Sequence, residues 1–92
     1  MVARDVTIVN ALGMHARAAA RFVHAATMFE AQVRVMRGNR VTDGKSIMGI
    51  LLLAAARGTA LTITAEGPDE GDAVDTLCAM IEEGLGEGPC DA

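Results

Sequence analysis

Gln32-Val33-Arg34-Val35-Met36-Arg37-Gly38-Asn39-Arg40-Val41-Thr42 alternates apolar and polar side chains, breaks at a Gly-Asn pair and resumes. Alternation with a period of two is the mark of a strand with one buried face. A Gly-Asn pair between two such runs is a tight-turn signal, here in the less usual order. The stretch therefore predicts an antiparallel hairpin with Val33 and Val35 on its inner face. Downstream, Asp43-Gly44-Lys45 breaks the second strand, and Ser46 stands as a helix cap before Ile47-Met48-Gly49-Ile50-Leu51-Leu52-Leu53. That helix is expected to end near Arg57-Gly58, with Gly58 as the stop.

Further outward the pattern alternates between the two periodicities. Leu61, Ile63 and Ala65 interleave with Thr62, Thr64 and Glu66 as a fourth strand, closed by Gly67-Pro68. Acidic residues from Asp69 to Asp72 open a third helix, where negative charge meets the positive end of the helix dipole. Its Val74, Leu77, Cys78 and Ile81 repeat at helical spacing, and Gly84-Leu85-Gly86 ends it. On the N-terminal side, Ala16 to Thr27 reads as a helix with Ala19, Phe22, Val23 and Ala26 facing the core. Val6-Thr7-Ile8-Val9 reads as the first strand, joined to that helix by the Asn10-Ala11-Leu12-Gly13 loop. The order is β-α-β-β-α-β-α. The fold class is α+β, a four-stranded antiparallel sheet covered on one face by three helices.

The 92 residues suffice for one domain, residues 1–92, with a tail expected to fray from about residue 85. Hydrophobic residues make up 51% and charged residues 22%, enough to build a core. Only Phe22 and Phe29 are aromatic, so the core is aliphatic. The first 57 residues carry a net +5 and the remaining 35 a net −9. An acidic chain with two aromatics is a poor nucleic-acid binder, although its basic half can meet an acidic partner. The apolar run from Ile47 to Ala56 is too short for a bilayer, which needs about 20 residues. With no signal-peptide pattern at Met1-Val2-Ala3-Arg4-Asp5, no membrane insertion and a cytoplasmic location are expected. Two cysteines, Cys78 in an apolar helical pattern and Cys90 in the tail, make neither a disulfide framework nor a metal cluster.

Two short stretches carry chemistry. In Gly13-Met14-His15-Ala16-Arg17, His15 falls where a loop becomes a helix. The first turn leaves backbone N–H groups without intrahelical acceptors, so the backbone amides of Ala16, Arg17 and Ala18 make an anion site. A neutral imidazole there offers a nitrogen lone pair to a phosphoryl group, and Arg17 supplies a guanidinium for its oxygens. His24, inside the helix, lacks that setting. Spacing alone does not separate this reading from an indifferent helix-start histidine beside a solvated arginine. In Lys45-Ser46-Ile47-Met48-Gly49, Ser46 is a cap whose hydroxyl can also take a phosphate. Ile47, Met48 and Leu51 or Leu52 form either a docking patch or ordinary core. The acidic run Glu66, Asp69, Glu70, Asp72, Asp75 lacks the spacing and glycine of a calcium loop.

The two stretches together, at their separation and in this element order, resemble HPr, the histidine-containing phosphocarrier family of the bacterial phosphoenolpyruvate-dependent sugar phosphotransferase system. The likeness runs from Val6 to about Gly86. It implies an open-faced β-sandwich and a phosphoryl carrier rather than an enzyme, without cofactor or metal. His15 would accept the phosphoryl group at Nδ1 from phosphoenolpyruvate-charged enzyme I and pass it to IIA domains of sugar permeases. Arg17 matches the family's active-site arginine. Ser46 matches the position that a serine kinase and phosphatase act on in some bacteria, and Ile47, Met48 and Leu51 match part of the docking surface. A monomer suits such a carrier. The family usually has Pro after the arginine, and here position 18 is Ala18. The alternatives are a nitrogen-branch paralogue, a purely regulatory module switched at Ser46, or a small-molecule-binding domain.

Overall fold

The computed structural model describes residues 1–86. The elements are β1 (Val2–Thr7), α1 (Ala16–Ala26), β2 (Gln32–Arg37), β3 (Arg40–Asp43), α2 (Ile47–Leu52), β4 (Ala60–Glu66) and α3 (Glu70–Glu82). The four strands form one antiparallel sheet in the order β1-β4-β2-β3. It is the α+β fold with an antiparallel sheet expected from the alternating periodicities, and the open-faced sandwich that the resemblance implies.

The hairpin sits where the sequence places it. Arg37 pairs with Arg40 across the turn, and Gly38 takes φ +58° while Asn39 stays at negative φ. Positive φ at the first turn residue alone is the sign pattern of a type II′ turn, in which glycine leads. Val33 and Val35 face inward and lie in register with Ala65 and Ile63 of β4; Leu61 of β4 faces Val6 of β1. These side chains are buried, and the helices close over them with Ala19, Phe22, Val23 and Ala26 from α1, Ile50 from α2, and Val74, Leu77, Cys78 and Ile81 from α3. Phe22 is fully buried and Phe29 packs at the margin. Removing the Phe22 ring would cost about 3–5 kcal/mol, the scale of losing an aromatic side chain from an interior.

Three boundaries differ from the sequence reading. β1 runs from Val2 to Thr7 rather than from Val6 to Val9. Ala3, Arg4 and Asp5 are exposed on this edge strand, so its first half shows no apolar alternation. Ile8 lies past the strand, yet its backbone still exchanges bonds with the segment before β4, to Gly58 N at 2.8 Å and Thr59 O at 3.0 Å. α2 stops at Leu52, well short of Gly58, because Ala54 turns into the left-handed region at φ +51° and its N–H bonds back to Leu51 O. Leu85, where the tail was placed, is buried; its N–H donates to Met80 O and its carbonyl accepts from Arg21. Cys90 lies outside the described residues. Burial pushes the Cys78 thiol upward, which suits an inert core residue. Among the described residues no helix is long and apolar enough to cross a membrane.

The far end of the molecule is tied by carboxylates. Asp69 does not cap α3 with its side chain. Its two oxygens instead accept the N–H groups of Glu30 (2.9 Å) and Ala31 (2.8 Å), joining the α1–β2 loop to the β4–α3 loop. Glu70 accepts from Gly67 N and pairs with the terminal ammonium of Met1. The Glu30 amide holds Asp69 below the usual carboxylate range, with Ala31 and the Lys45 charge adding to it. The Gly67 amide, then the terminal ammonium, do the same for Glu70. A carboxyl depressed in the folded state stabilises the fold at pH values above its unfolded pKa, roughly 4, and loses that contribution as pH falls through the folded value. Thermal unfolding followed from pH 7 to pH 2 should therefore show stability declining below about pH 4, and Asp69→Asn should flatten that decline and lower the melting temperature at pH 7. Parallel pH curves for the two proteins would mean the Asp69 bridge contributes nothing.

Candidate functional site

The site is built at one end of the sheet, where the chain leaves β1 and enters α1. Asn10 is fully buried, and its Nδ2 donates to Gly13 O at 2.8 Å, while Gly13 N donates to Asn10 O at 3.1 Å. These bonds fold residues 10–13 into a closed turn. Met14 is buried and its N–H reaches Ala55 O at 2.8 Å, fixing the turn to the segment that follows α2. Gly13 has φ +67°, and a Cβ there would lie 2.5 Å from Ala55 O and 2.8 Å from Ala56 Cα. Only glycine meets both the backbone conformation and the closeness of approach.

His15 is the N-cap of α1, with extended backbone at φ −81° and ψ −178°. Its carbonyl receives the first helical bond, from Ala19 N at 2.8 Å, and its side chain is not the cap. The N–H groups of Ala16, Arg17 and Ala18 thus open the helix without intrahelical acceptors. His15 is half-buried, Ala16 and Arg17 are exposed, and Ala18 is buried. Alanine at position 18 leaves the start of α1 at Ala16. Arg17, Arg21 and His24 line one side of a groove between α1 and the end of α3, so basic side chains extend along the helix away from His15. The structure gathers His15, the opening amides and Arg17 at one exposed helix end.

Ser46 behaves as a cap. Its Oγ accepts from Gly49 N at 3.1 Å and its carbonyl from Ile50 N at 3.0 Å. Lys45 points away, with Nζ on Phe29 O at 2.8 Å. Ile47 (44% exposed) and Met48 (66%) face solvent at the start of α2, and Leu51 is half-buried. Leu52 (65%) and Leu12 (71%) are also exposed apolar residues, on α2 and on the loop before His15. Sequence reading passed over Leu12 because a lone leucine in a polar loop has no periodicity to mark it. It also passed over Ala54 and Arg37, whose parts depend on backbone conformation.

A family model described as "PTS HPr component phosphorylation site" matches residues 2–83. The chain belongs to the HPr family. The HPr of Cupriavidus necator is 48% identical over 88 residues, spanning 96% of this chain and 99% of that one. The phosphocarrier protein NPr of Shewanella violacea is 35% identical over 79 residues, 86% of this chain and 87% of that one. Among solved structures, HPr-C-His from Thermoanaerobacter tengcongensis superposes with a TM-score of 0.91 at 40% identity, covering 95% of this chain and 98% of that one. The four-stranded sheet and three helices of this HPr-family chain are those of its solved relatives.

The contact between Gly13 and the 55–56 segment makes a direct prediction. Gly13→Ala pays for a left-handed alanine and a backbone collision together, and should lose about 2 kcal/mol or more in chemical denaturation. A midpoint equal to that of the parent protein would show that the turn does not depend on this approach.

Proposed function

We propose that this phosphotransferase-system carrier takes a phosphoryl group on His15 from phosphoenolpyruvate-charged enzyme I and delivers it to IIA domains of sugar permeases. The observation that carries the reading is His15 as the N-cap of α1, beside three opening amides and an exposed arginine. In the transfer, the Nδ1 lone pair of a neutral imidazole forms the new N–P bond. The donor histidine's N–P bond breaks, and its nitrogen leaves with the electron pair. The transition state is loose, so the protein contributes position and charge rather than new bonding. The amides of Ala16, Arg17 and Ala18 face the phosphoryl oxygens, and Arg17 adds a mobile cation. The chain acts as a stoichiometric carrier in the cytoplasm, not as a catalyst, and meets its partners in turn as a monomer.

Ile47, Met48 and Leu51 dock the partners, and opposite charge on the partner speeds the encounter with the basic first half of the chain. Ser46 is the regulatory position for a serine kinase and phosphatase. A phosphate on its Oγ keeps an acceptor opposite Gly49 N and adds negative charge at the start of α2, next to the docking residues. The change therefore acts on partner choice without touching His15.

Incubated with enzyme I, phosphoenolpyruvate and magnesium, the protein should gain an acid-labile phosphate that is absent from His15→Ala. Intact-mass measurement before and after mild acid reads it. Arg17→Ala should keep its melting temperature and slow the transfer on the order of a hundredfold, the scale of losing one group that stabilises transferred charge. An unlabelled parent protein removes the relay, and an Arg17→Ala rate equal to the parent's removes the arginine's role.

A further inference from the structure

Arg37 ends β2 beside the hairpin turn, and its guanidinium crosses to the segment after α2. Its Nη1 donates to Leu53 O at 2.6 Å and to Ala54 O at 3.2 Å. Arg40, its cross-strand partner, donates from Nη1 to Leu52 O at 3.0 Å. Two cations directly opposite each other on a hairpin repel. Here both are aimed at the carbonyls that end α2, where positive charge is favoured. They divide the segment between them. Arg40 takes the last helical residue, whereas Arg37 reaches past the helix to the corner itself.

That corner is Ala54, a non-glycine residue at φ +51°. The next residue, Ala55, is buried and supplies the carbonyl that receives Met14 N at 2.8 Å. Met14 directly precedes His15, the N-cap of α1. A short covalent and hydrogen-bonded path thus runs from the Arg37 guanidinium through Ala54 and Ala55 to the residue before the phosphoryl acceptor. An alanine in the left-handed region holds only where its surroundings hold it. Arg37 grips the carbonyls on either side of the Ala54 φ angle.

We propose that Arg37 is a positioning residue for phosphoryl transfer at His15: it locks the Ala54 corner, which sets the Ala55 carbonyl against the Met14 amide and so fixes the start of α1. The kinetic part rests on the carrier reading above; the brace itself is a property of the chain alone.

The test is Arg37→Ala and Arg37→Gln, each made alone and in an Ala54→Gly background. Glycine holds the corner without a brace. In the parent background, Arg37→Ala should slow transfer from enzyme I about tenfold, because small displacements of a reacting group are costly in rate. Met14 N–H hydrogen exchange should accelerate by a similar factor, beyond any change at the core amide of Ile63, which reports global stability. With glycine at position 54, both effects should shrink to less than about twofold. Arg37→Gln, which keeps a shorter donor, should fall between. Unaltered transfer and unaltered Met14 exchange in Arg37→Ala overturn the proposal. So does a loss of transfer that persists undiminished with Gly at 54 while Met14 stays protected, since Arg37 would then be acting on the partner directly. If the parent protein takes no phosphate on His15, the carrier reading and the kinetic claim fall together, and Met14 exchange still decides the brace.

Discussion

The hydrogen bond from Met14 N to Ala55 O, 2.8 Å long and pressed closed by the missing side chain of Gly13, joins the parts of the molecule that must agree for His15 to have a defined place. On one side of it is the turn that delivers His15 to the start of α1. On the other is the segment that carries the chain from α2 to β4. That segment is already bound at its far end, where Ile8 exchanges backbone bonds with Gly58 and Thr59. The sheet, α2 and the start of α1 are thus connected through main-chain contacts, which tolerate little displacement, and Arg37 and Arg40 add side-chain bonds from the hairpin to the end of α2.

This connection explains how a small carrier can present two different surfaces in fixed relation. In the proposed relay the opening amides of α1 and Arg17 are the place for the anion. Ile47, Met48 and Leu52 form an exposed apolar face on α2, and Leu12 adds to the exposed apolar surface from the loop before His15. In the proposed relay a docked partner reads the apolar face, while transfer depends on where His15 stands. Because α2 runs directly into the segment that receives Met14, the apolar face of α2 and His15 cannot drift independently. The charge division fits the same scheme. Arg17 and Arg21 lie on the α1 face, whereas Glu70, Asp72, Asp75, Glu82 and Glu83 lie along α3 or at its end.

Much of this was legible in the residues, and the limits follow a physical pattern. The hairpin and α3 were plain because their periodic apolar positions are also their buried positions, from Val33 and Val35 to Val74, Leu77, Cys78 and Ile81. β1 was misplaced because an edge strand exposes Ala3, Arg4 and Asp5 and leaves no alternation to read. α2 was drawn too long because glycine is the usual left-handed stop, and Gly58 was available. The chain stops at Ala54 instead, in a conformation that alanine adopts only under constraint. The constraint comes from Arg37, seventeen residues earlier in sequence and on another element, so no local pattern announces it. His15, Arg17 and Ser46 were legible as helix-start residues; Gly13 was legible as a sharp turn before His15, but its close approach to Ala55 and Ala56 and the burial of Asn10 were not, since both depend on a distant segment.

His15, the proposed acceptor, sits at a helix end rather than in a pocket. A carrier must release what it binds, so strong enclosure of the phosphoryl group would slow the second transfer as it favoured the first. Backbone amides at an exposed helix start attract an anion without surrounding it, and an exposed arginine can follow the group or withdraw. Rigidity is then needed below the site rather than around it. Asn10, Gly13 and Met14 form the turn that leads into His15, and its bonds run within the turn and to Ala55, next to the corner at Ala54. Precision without enclosure is what the proposed relay between two successive partners demands of this surface.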